Sequence, residues 1–268
     1  MTRGLTVMVT GATSGIGLAT VRLLAAGGEA VLVHGRDERR VATAVQQIRR
    51  DAGQADGLVA DLASLKSTAR LAADVAERAP GLDLLVNNAG VGPASPGGRR
   101  EVSADGYELR FAVNYLAHYY LSRELLRRGL PRRAIVNVSS AGQAPIDFDD
   151  PLLERGYDGW QAYCQSKLAL VMLTLDLSEE APGLAVNALH PGTYLDTPMV
   201  RAMGVKPRGT AEDGASAVAA LLEKSLEGGV TGRYFDGRRP ASPERQARDP
   251  DARRRLRKLS EELAGKAD

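Results

Sequence analysis

Short apolar runs alternate with amphipathic stretches along most of this chain, and that alternation restricts its fold more than any other feature. Residues 5–10, 30–34, 57–60, 82–86, 134–138, 184–189 and 233–235 read as strands. They are short, mostly rich in Val and Leu, and bounded by glycine, proline or polar residues. Strands buried on both faces of a parallel sheet have this pattern. Helical patterns fall between them, near 15–27, 38–51, 64–79, 103–129, 160–180 and 210–226. Ser64 suits the N-cap of the third, and Thr210 with Asp213 opens the last with capping-box chemistry. The repeated alternation predicts an α/β protein with a single-domain Rossmann fold. Its sheet is expected to be doubly wound, seven-stranded and mostly parallel, with helices on both faces.

No Gly/Ser/Pro-rich linker divides this pattern, so one domain is expected over 1–236. Two irregular stretches, 141–159 and 191–209, follow apolar strands. Ligands of such sheets bind beyond the strands' carboxyl ends, which makes these two the expected substrate loops. Residues 237–268 carry ten Lys/Arg against six Asp/Glu, within an overall formal charge of +2, and read as a charged, partly helical extension.

Composition narrows the function. No stretch approaches the ~18 consecutive apolar residues of a membrane span. Cys164 is the one cysteine, which excludes an internal disulfide and a cysteine-rich zinc site. His34, His118 and His190 are not spaced four residues apart, so no metal is expected. Aromatics make up only 4% and the basic excess is terminal, which argues against a nucleic-acid partner. The first apolar run begins at Leu5, so a cytoplasmic protein without a signal peptide is expected. Arginine outnumbers lysine and Ala/Gly are abundant, a hint of a GC-rich bacterial genome.

The segment Thr10-Gly11-Ala12-Thr13-Ser14-Gly15-Ile16-Gly17 closes the first strand and opens the first helix. Glycines let the backbone approach a pyrophosphate, and a helix N-terminus offers it free N–H groups. A tight turn of small residues is the alternative, and the position after the first strand favours dinucleotide binding. The second strand ends in Val33-His34-Gly35-Arg36-Asp37. An NAD site usually has an acid here for the ribose 2′-hydroxyl. Gly35 stands in that acid's place and Arg36 follows. A guanidinium matches a phosphate, so NADP(H) is expected, with Arg36 on the 2′-phosphate and Arg39 or Arg40 as helpers. The alternative is that Arg36 begins a solvated helix face.

With these motifs the chain resembles the short-chain dehydrogenase/reductase family over about residues 5–236. The resemblance rests on the loop at 10–17, Asp61 after the third strand, Asn87-Asn88-Ala89-Gly90, Asn114, Val138-Ser139-Ser140, Tyr163-Cys164-Gln165-Ser166-Lys167 and Pro191-Gly192. The stretch 162–169 and the long gap from Ser140 to Tyr163 are most similar to the retinol-dehydrogenase-like branch, which includes the WW-domain oxidoreductase. Tyr163 and Lys167 stand four apart on a predicted helix and share a face. A nearby ammonium is expected to lower the tyrosine pKa from its usual value of about 10, letting it exchange a proton with the substrate oxygen.

The resemblance implies further roles. Lys167 holds the nicotinamide ribose. Ser140 orients the substrate oxygen, with Ser139 in its place if the register differs by one. Asn114 sits at a bend in its helix and joins a water-linked proton relay. Asn87 lies near the adenosine ribose, with Asn88, Ala89 and Gly90 around it. Asp61 with Leu62 lies near the adenine, and Pro191-Gly192-Thr193 lies beside the nicotinamide. Family members often have a threonine five residues after that proline. Here Asp196 occupies the position and Thr197 follows, leaving Thr193 and Thr197 as alternatives.

The expected function is NADP(H)-dependent interconversion of a carbonyl and an alcohol on a medium-sized, largely apolar small molecule. The apolar character comes from Leu152, Leu153, Tyr157, Tyr194, Leu195, Met199 and Met203 in the two loops. Another biosynthetic step on the same scaffold (C=C reduction, epimerisation or cyclisation) is the rival, and a non-catalytic NADP-sensing protein is a third reading. A homodimer or homotetramer without a membrane partner is expected.

Overall fold

Successive side chains of a strand point to opposite faces, and β1 (Thr6–Val9) meets apolar core on both sides. Met8 enters one cluster, Val7 and Val9 the other. The remaining strands are β2 (Ala30–Gly35), β3 (Gln54–Val59), β4 (Leu84–Asn87), β5 (Ala134–Val138), β6 (Ala185–His190), β7 (Arg233–Asp236) and β8 (Arg239–Ala241). This computed structural model describes residues 4–51, 53–93 and 98–265. The strands form one sheet in the order β3-β2-β1-β4-β5-β6-β7-β8, parallel except for β8. The fold is the doubly wound α/β arrangement that the alternation predicts.

The helices are α1 (Gly15–Ala26), α2 (Glu38–Arg50), α3 (Leu65–Arg78), α4 (Leu109–Phe111), α5 (Ala117–Arg127), α6 (Gly159–Glu180), α7 (Pro198–Ala202), α8 (Ala211–Leu226) and α9 (Pro250–Ala264). One core joins α1, α2 and α8 to the sheet, and the larger joins α3, α5, α6 and α9. Ser64 caps α3, and Thr210 with Asp213 closes a reciprocal capping box on α8.

Several boundaries differ from the sequence expectation. β3 begins at Gln54 instead of 57, because an edge strand pairs on one side only and its backbone register runs from Ala30↔Gln54 to Gly35↔Val59. The helix expected from 103 starts at Leu109. Before it, Ser103 N–H donates to the Tyr107 carbonyl at 2.8 Å in a turn, and Glu108 caps by accepting from Phe111 N–H at 2.8 Å. A π-helical turn, Ala112–Leu116, then joins α4 to α5.

An eighth strand extends the expected seven. Gly237-Arg238 turns the chain back in a two-residue hairpin, with Gly237 at φ +57° and Asp236 opposite Arg239. Pro240 is tolerated because β8 is an edge strand. The segment after 236 is thus part of the same core. Ala247, Ala252, Leu256 and Leu263 are buried in the larger cluster. Tyr107 Oη donates to the Leu263 carbonyl at 2.9 Å, and Arg253 pairs with the buried Asp176 at 3.0 Å.

Candidate active site

The glycine loop between β1 and α1 lies where β1 has β2 on one side and β4 on the other. Ligands of open α/β sheets bind at such a switch point. Gly11 adopts φ +65° and Gly15 φ +51°, in the region that favours glycine. A Cβ on Gly17 would stand 2.3 Å from the Gly11 carbonyl oxygen, and one on Gly11 2.8 Å from Ala89 Cα. Side chains cap α2, α3, α6 and α8, but Ser14 does not cap α1, and no acidic residue occupies its first turn. The positive end of α1 is therefore left for another acceptor. A cavity of about 280 Å³ opens beside Thr13, Ser14 and Gly15, with Arg22, Glu212 and the Arg201–Asp196 ion pair on its walls. Ile16 turns inward and is partly buried against the core. These residues fit a dinucleotide pyrophosphate.

The turn after β4 braces this loop. Thr10 Oγ1 accepts from the N–H groups of Asn88 and Ala89 at 2.8 and 3.0 Å, and Asn88 Nδ2 donates to the Thr10 carbonyl at 2.8 Å. Asn87 points elsewhere. It is fully buried and donates to Asn137 Oδ1 at 2.8 Å and Ser122 Oγ at 3.0 Å, tying β4 to β5 and α5. Its side chain thus serves the sheet, which leaves only its backbone to face a ribose. Leu62 is likewise a core side chain. Asp61 is exposed after β3, and its Oδ1 accepts from Ala63 N–H at 2.9 Å.

Gly35 ends β2 in a space that a side chain cannot enter. A Cβ there would lie 2.6 Å from Thr13 Cγ2 and 3.0 Å from Val41 Cγ2. Arg36 is exposed and makes no ion pair with a described residue. The Asp37 carboxylate caps α2 by accepting from Arg40 N–H at 3.0 Å.

Beyond the ends of β4 and β5, four predicted residues converge. Tyr163 and Lys167 share one face of α6, with Lys167 Nζ 5.8 Å from the Tyr163 ring centre. Ser140 lies near enough to the Tyr163 hydroxyl to favour its ionised form, whereas Ser139 Oγ donates to the Lys167 carbonyl at 2.8 Å. Ser140 is therefore the serine at the tyrosine. Lys167 Nζ donates to the Val138 carbonyl at 3.0 Å. Asn114 lies within the π-helical turn, as the expected bend requires. Its side chain accepts from Val91 N–H at 2.7 Å and donates to Ser166 Oγ at 2.9 Å. Gly90 faces this group, where a Cβ would stand 3.5 Å from Lys167 Nζ.

Burial sets the protonation states. Loss of hydration pushes Lys167 down to about 8. The Tyr163 hydroxyl, expected to be lowered by the ammonium, is instead raised. Desolvation is the largest cause, and the neighbouring Ser140 hydroxyl only partly opposes it. The ammonium is some distance from the ring and engaged with the Val138 carbonyl. His190 is lowered by burial and bonds Thr193 Oγ1 at 3.0 Å, a packed histidine as expected.

Pro191 is buried and Gly192 adopts φ +143°. Thr193 is exposed, while Thr197 is buried and caps α7. The Thr197 methyl would be 3.1 Å from a Cβ on Gly15, so this threonine adjoins the glycine loop. The loop 141–159 is anchored by groups that sequence reasoning missed. Ile146 N–H donates to Gln246 Oε1 at 2.7 Å, and Gln246 Nε2 returns a bond to the Ile146 carbonyl at 3.1 Å. Gln143 Nε2 and Tyr234 Oη both donate to the Ser140 carbonyl, at 2.8 and 2.9 Å. Trp160, stacked on Tyr163, was also missed; its position three residues before Tyr163 on a helical face was the available signal. Among the described residues no group of His, Cys, Asp and Glu is placed to hold a metal, and no helix is long and apolar enough to cross a membrane.

Fold and site together define a dinucleotide-binding oxidoreductase, and the comparisons agree. The family model for short chain dehydrogenase matches residues 5–207, and the chain belongs to that family. It is 37% identical to retinol dehydrogenase 13 of Homo sapiens, over 98% of this chain and 85% of that one, in keeping with the retinol-dehydrogenase-like branch. A crystal structure of an uncharacterized protein from Mycobacterium Paratuberculosis superposes with a TM-score of 0.79 at 31% identity, covering 97% of this chain and 93% of that one. A short chain dehydrogenase from Burkholderia cenocepacia J2315 in complex with NADP has a TM-score of 0.69 at 28% identity, covering 87% of this chain and 96% of that one.

Proposed function

We propose that this chain is an NADP(H)-dependent oxidoreductase that interconverts a carbonyl and an alcohol on a small, largely apolar molecule, with Tyr163 as the acid/base. The observation that carries the reading is the convergence of Ser140, Tyr163, Lys167 and Asn114 beside an uncapped glycine loop. Bound coenzyme supplies or accepts the hydride. Gly11 to Gly17 would hold its pyrophosphate, and Arg36 would take the 2′-phosphate. Asn88, Ala89 and Gly90 shape the adjoining wall, and Thr193 or Thr197 lies toward the nicotinamide end.

The protein's own groups manage the oxygen and its proton. Ser140 donates to the substrate oxygen and aligns it with the Tyr163 hydroxyl. Burial keeps that hydroxyl protonated at neutral pH, the form that delivers a proton to a nascent alkoxide. Near neutrality the hydroxyl is thus already in the form that reduction requires. Lys167, poised near 8, replenishes the proton, with Asn114 holding the helix bend behind it.

The test is NADPH consumption with a panel of ketones, repeated with Tyr163→Phe. Loss of the proton donor is expected to lower kcat by roughly 10²- to 10⁴-fold while NADPH binding persists. Turnover indifferent to that substitution would overturn the assignment.

A further inference from the structure

Two buried histidines meet the glycine loop, His34 from β2 and His118 from α5, and the chemistry above uses neither. Their partners fix where each ring carries its proton. The Gly11 N–H donates to His34 Nδ1 at 3.2 Å, which leaves Nε2 as the protonated nitrogen, 3.2 Å from the Ala60 carbonyl. His118 is the reverse. Its Nδ1 lies 3.2 Å from the Asn114 carbonyl, which can only accept, so Nδ1 carries the hydrogen and Nε2 is bare. Burial holds both rings neutral, pushing His34 down to about 4 and His118 to about 3.

The bare nitrogen of His118 meets Thr10 Oγ1 at 3.1 Å. That hydroxyl already accepts from the N–H groups of Asn88 and Ala89. Its single hydrogen has two acceptors within reach, His118 Nε2 and the Val86 carbonyl at 3.4 Å, and the imidazole is the nearer. A closed chain of donors and acceptors results. It runs from the turn after β4 through Thr10 and the imidazole to the backbone carbonyl of Asn114, at the π-helical bend. Buried chains of this kind strengthen cooperatively and resist being broken at any one member.

We infer that His118 is a positioning residue that keeps the glycine loop and the Asn114 bend in register, through one bond to each. This role rests on the NADP(H) carbonyl chemistry proposed above and adds to it a link between coenzyme affinity and proton delivery.

Amide side chains separate the two ends of the imidazole. Asn places its amide nitrogen near the position of Nδ1, and Gln places its carbonyl oxygen near that of Nε2. His118→Asn thus retains the donor to Asn114 and loses the acceptor for Thr10, whereas His118→Gln does the opposite. His118→Asn is expected to raise the NADPH Kd roughly tenfold, with kcat for ketone reduction within about threefold. His118→Gln is expected to lower kcat roughly tenfold, with the NADPH Kd within about threefold. In a Thr10→Val background, where the link is already cut, His118→Asn is expected to add less than about twofold to the Kd. A histidine that only stabilised the fold would shift the unfolding midpoint without separating the two constants.

NMR of the imidazole nitrogens gives a readout on the wild type that needs no turnover. With the three histidines assigned by substituting His34 and His190, His118 is expected in the Nδ1–H form. An Nε2–H or cationic His118, the same pattern of losses in the Asn and Gln variants, or additive losses with Thr10→Val would overturn the inference. If the wild type binds NADPH but reduces no ketone, the carbonyl reading fails, and the spectra and the NADPH titrations still decide the role of His118.

Discussion

Arg36 and Asp37 divide two tasks that one acidic residue would confuse. The Asp37 carboxylate is committed to the first turn of α2, which removes it from competition for a ribose, and Arg36 is left exposed at the end of β2. A charge-assisted hydrogen bond to phosphate contributes roughly 1.5–3 kcal/mol. Arg36→Ala is therefore expected to weaken NADPH binding by roughly 10- to 100-fold while leaving NADH nearly unchanged. Parallel titrations of the two coenzymes check it, and equal losses would contradict it. Tyr163 gives a second prediction. Oxidation of an alcohol needs the phenolate, and burial raises this hydroxyl above its usual pKa of 10.0. Oxidation kcat/KM should therefore climb roughly tenfold per pH unit through the alkaline range, whereas reduction stays flat near neutrality. A plateau in oxidation below pH about 9 would show that another group titrates.

At the scale of elements, Gln246 is the clearest case of action at one remove. Its amide grips both backbone groups of Ile146, so this paired contact fixes the start of the substrate loop from outside. Gln246→Ala is expected to speed hydrogen exchange at Ile146 and Asp147 and to raise substrate KM several-fold, with NADPH affinity preserved. Unchanged exchange would refute the clamp. Among the described residues, two that are not glycine adopt left-handed backbone, Leu153 with φ 48° and Tyr194 with φ 51°, one in each loop flanking the site. Such strain persists where surrounding contacts over-determine the conformation.

Elements also explain what was legible. The Val/Leu runs of β1, β2, β4, β5 and β6 are readable because both faces are buried, and the glycine loop because its backbone demands specific residues. β8 has no apolar signature, since Arg239-Pro240-Ala241 lies at an edge; only Gly237, at the first turn position, advertises its hairpin. The π-helical turn carries no local sequence mark. Asn87 and Asn88 look equivalent in sequence, yet adjacent residues leaving a strand point apart, one into the core and one to the glycine loop. Trp160 becomes meaningful only once the stack on Tyr163 is seen.

At the scale of the whole molecule, the C-terminal helix is a structural member of the larger core. Asp176 on α6 is buried and meets Arg253 at 3.0 Å and Arg257 at 3.1 Å. Converting both arginines to Met would strand that carboxylate. The cost is expected to be about 2 kcal/mol, moderated because Arg257 is partly in solvent. A denaturant midpoint shift measures it, and adding Asp176→Asn should recover part of the loss. No shift would mean that α9 is held by its apolar face alone.

The pairing of residues 143–149 with residues 244–255 has a consequence for engineering. A substrate loop transplanted from a relative would arrive without the tail shaped to hold it, and would meet a glutamine and an arginine cut for a different partner. Chimeras that exchange specificity should therefore be made with two cuts, loop and tail moving together. Variation in either segment among natural relatives should be answered by variation in the other.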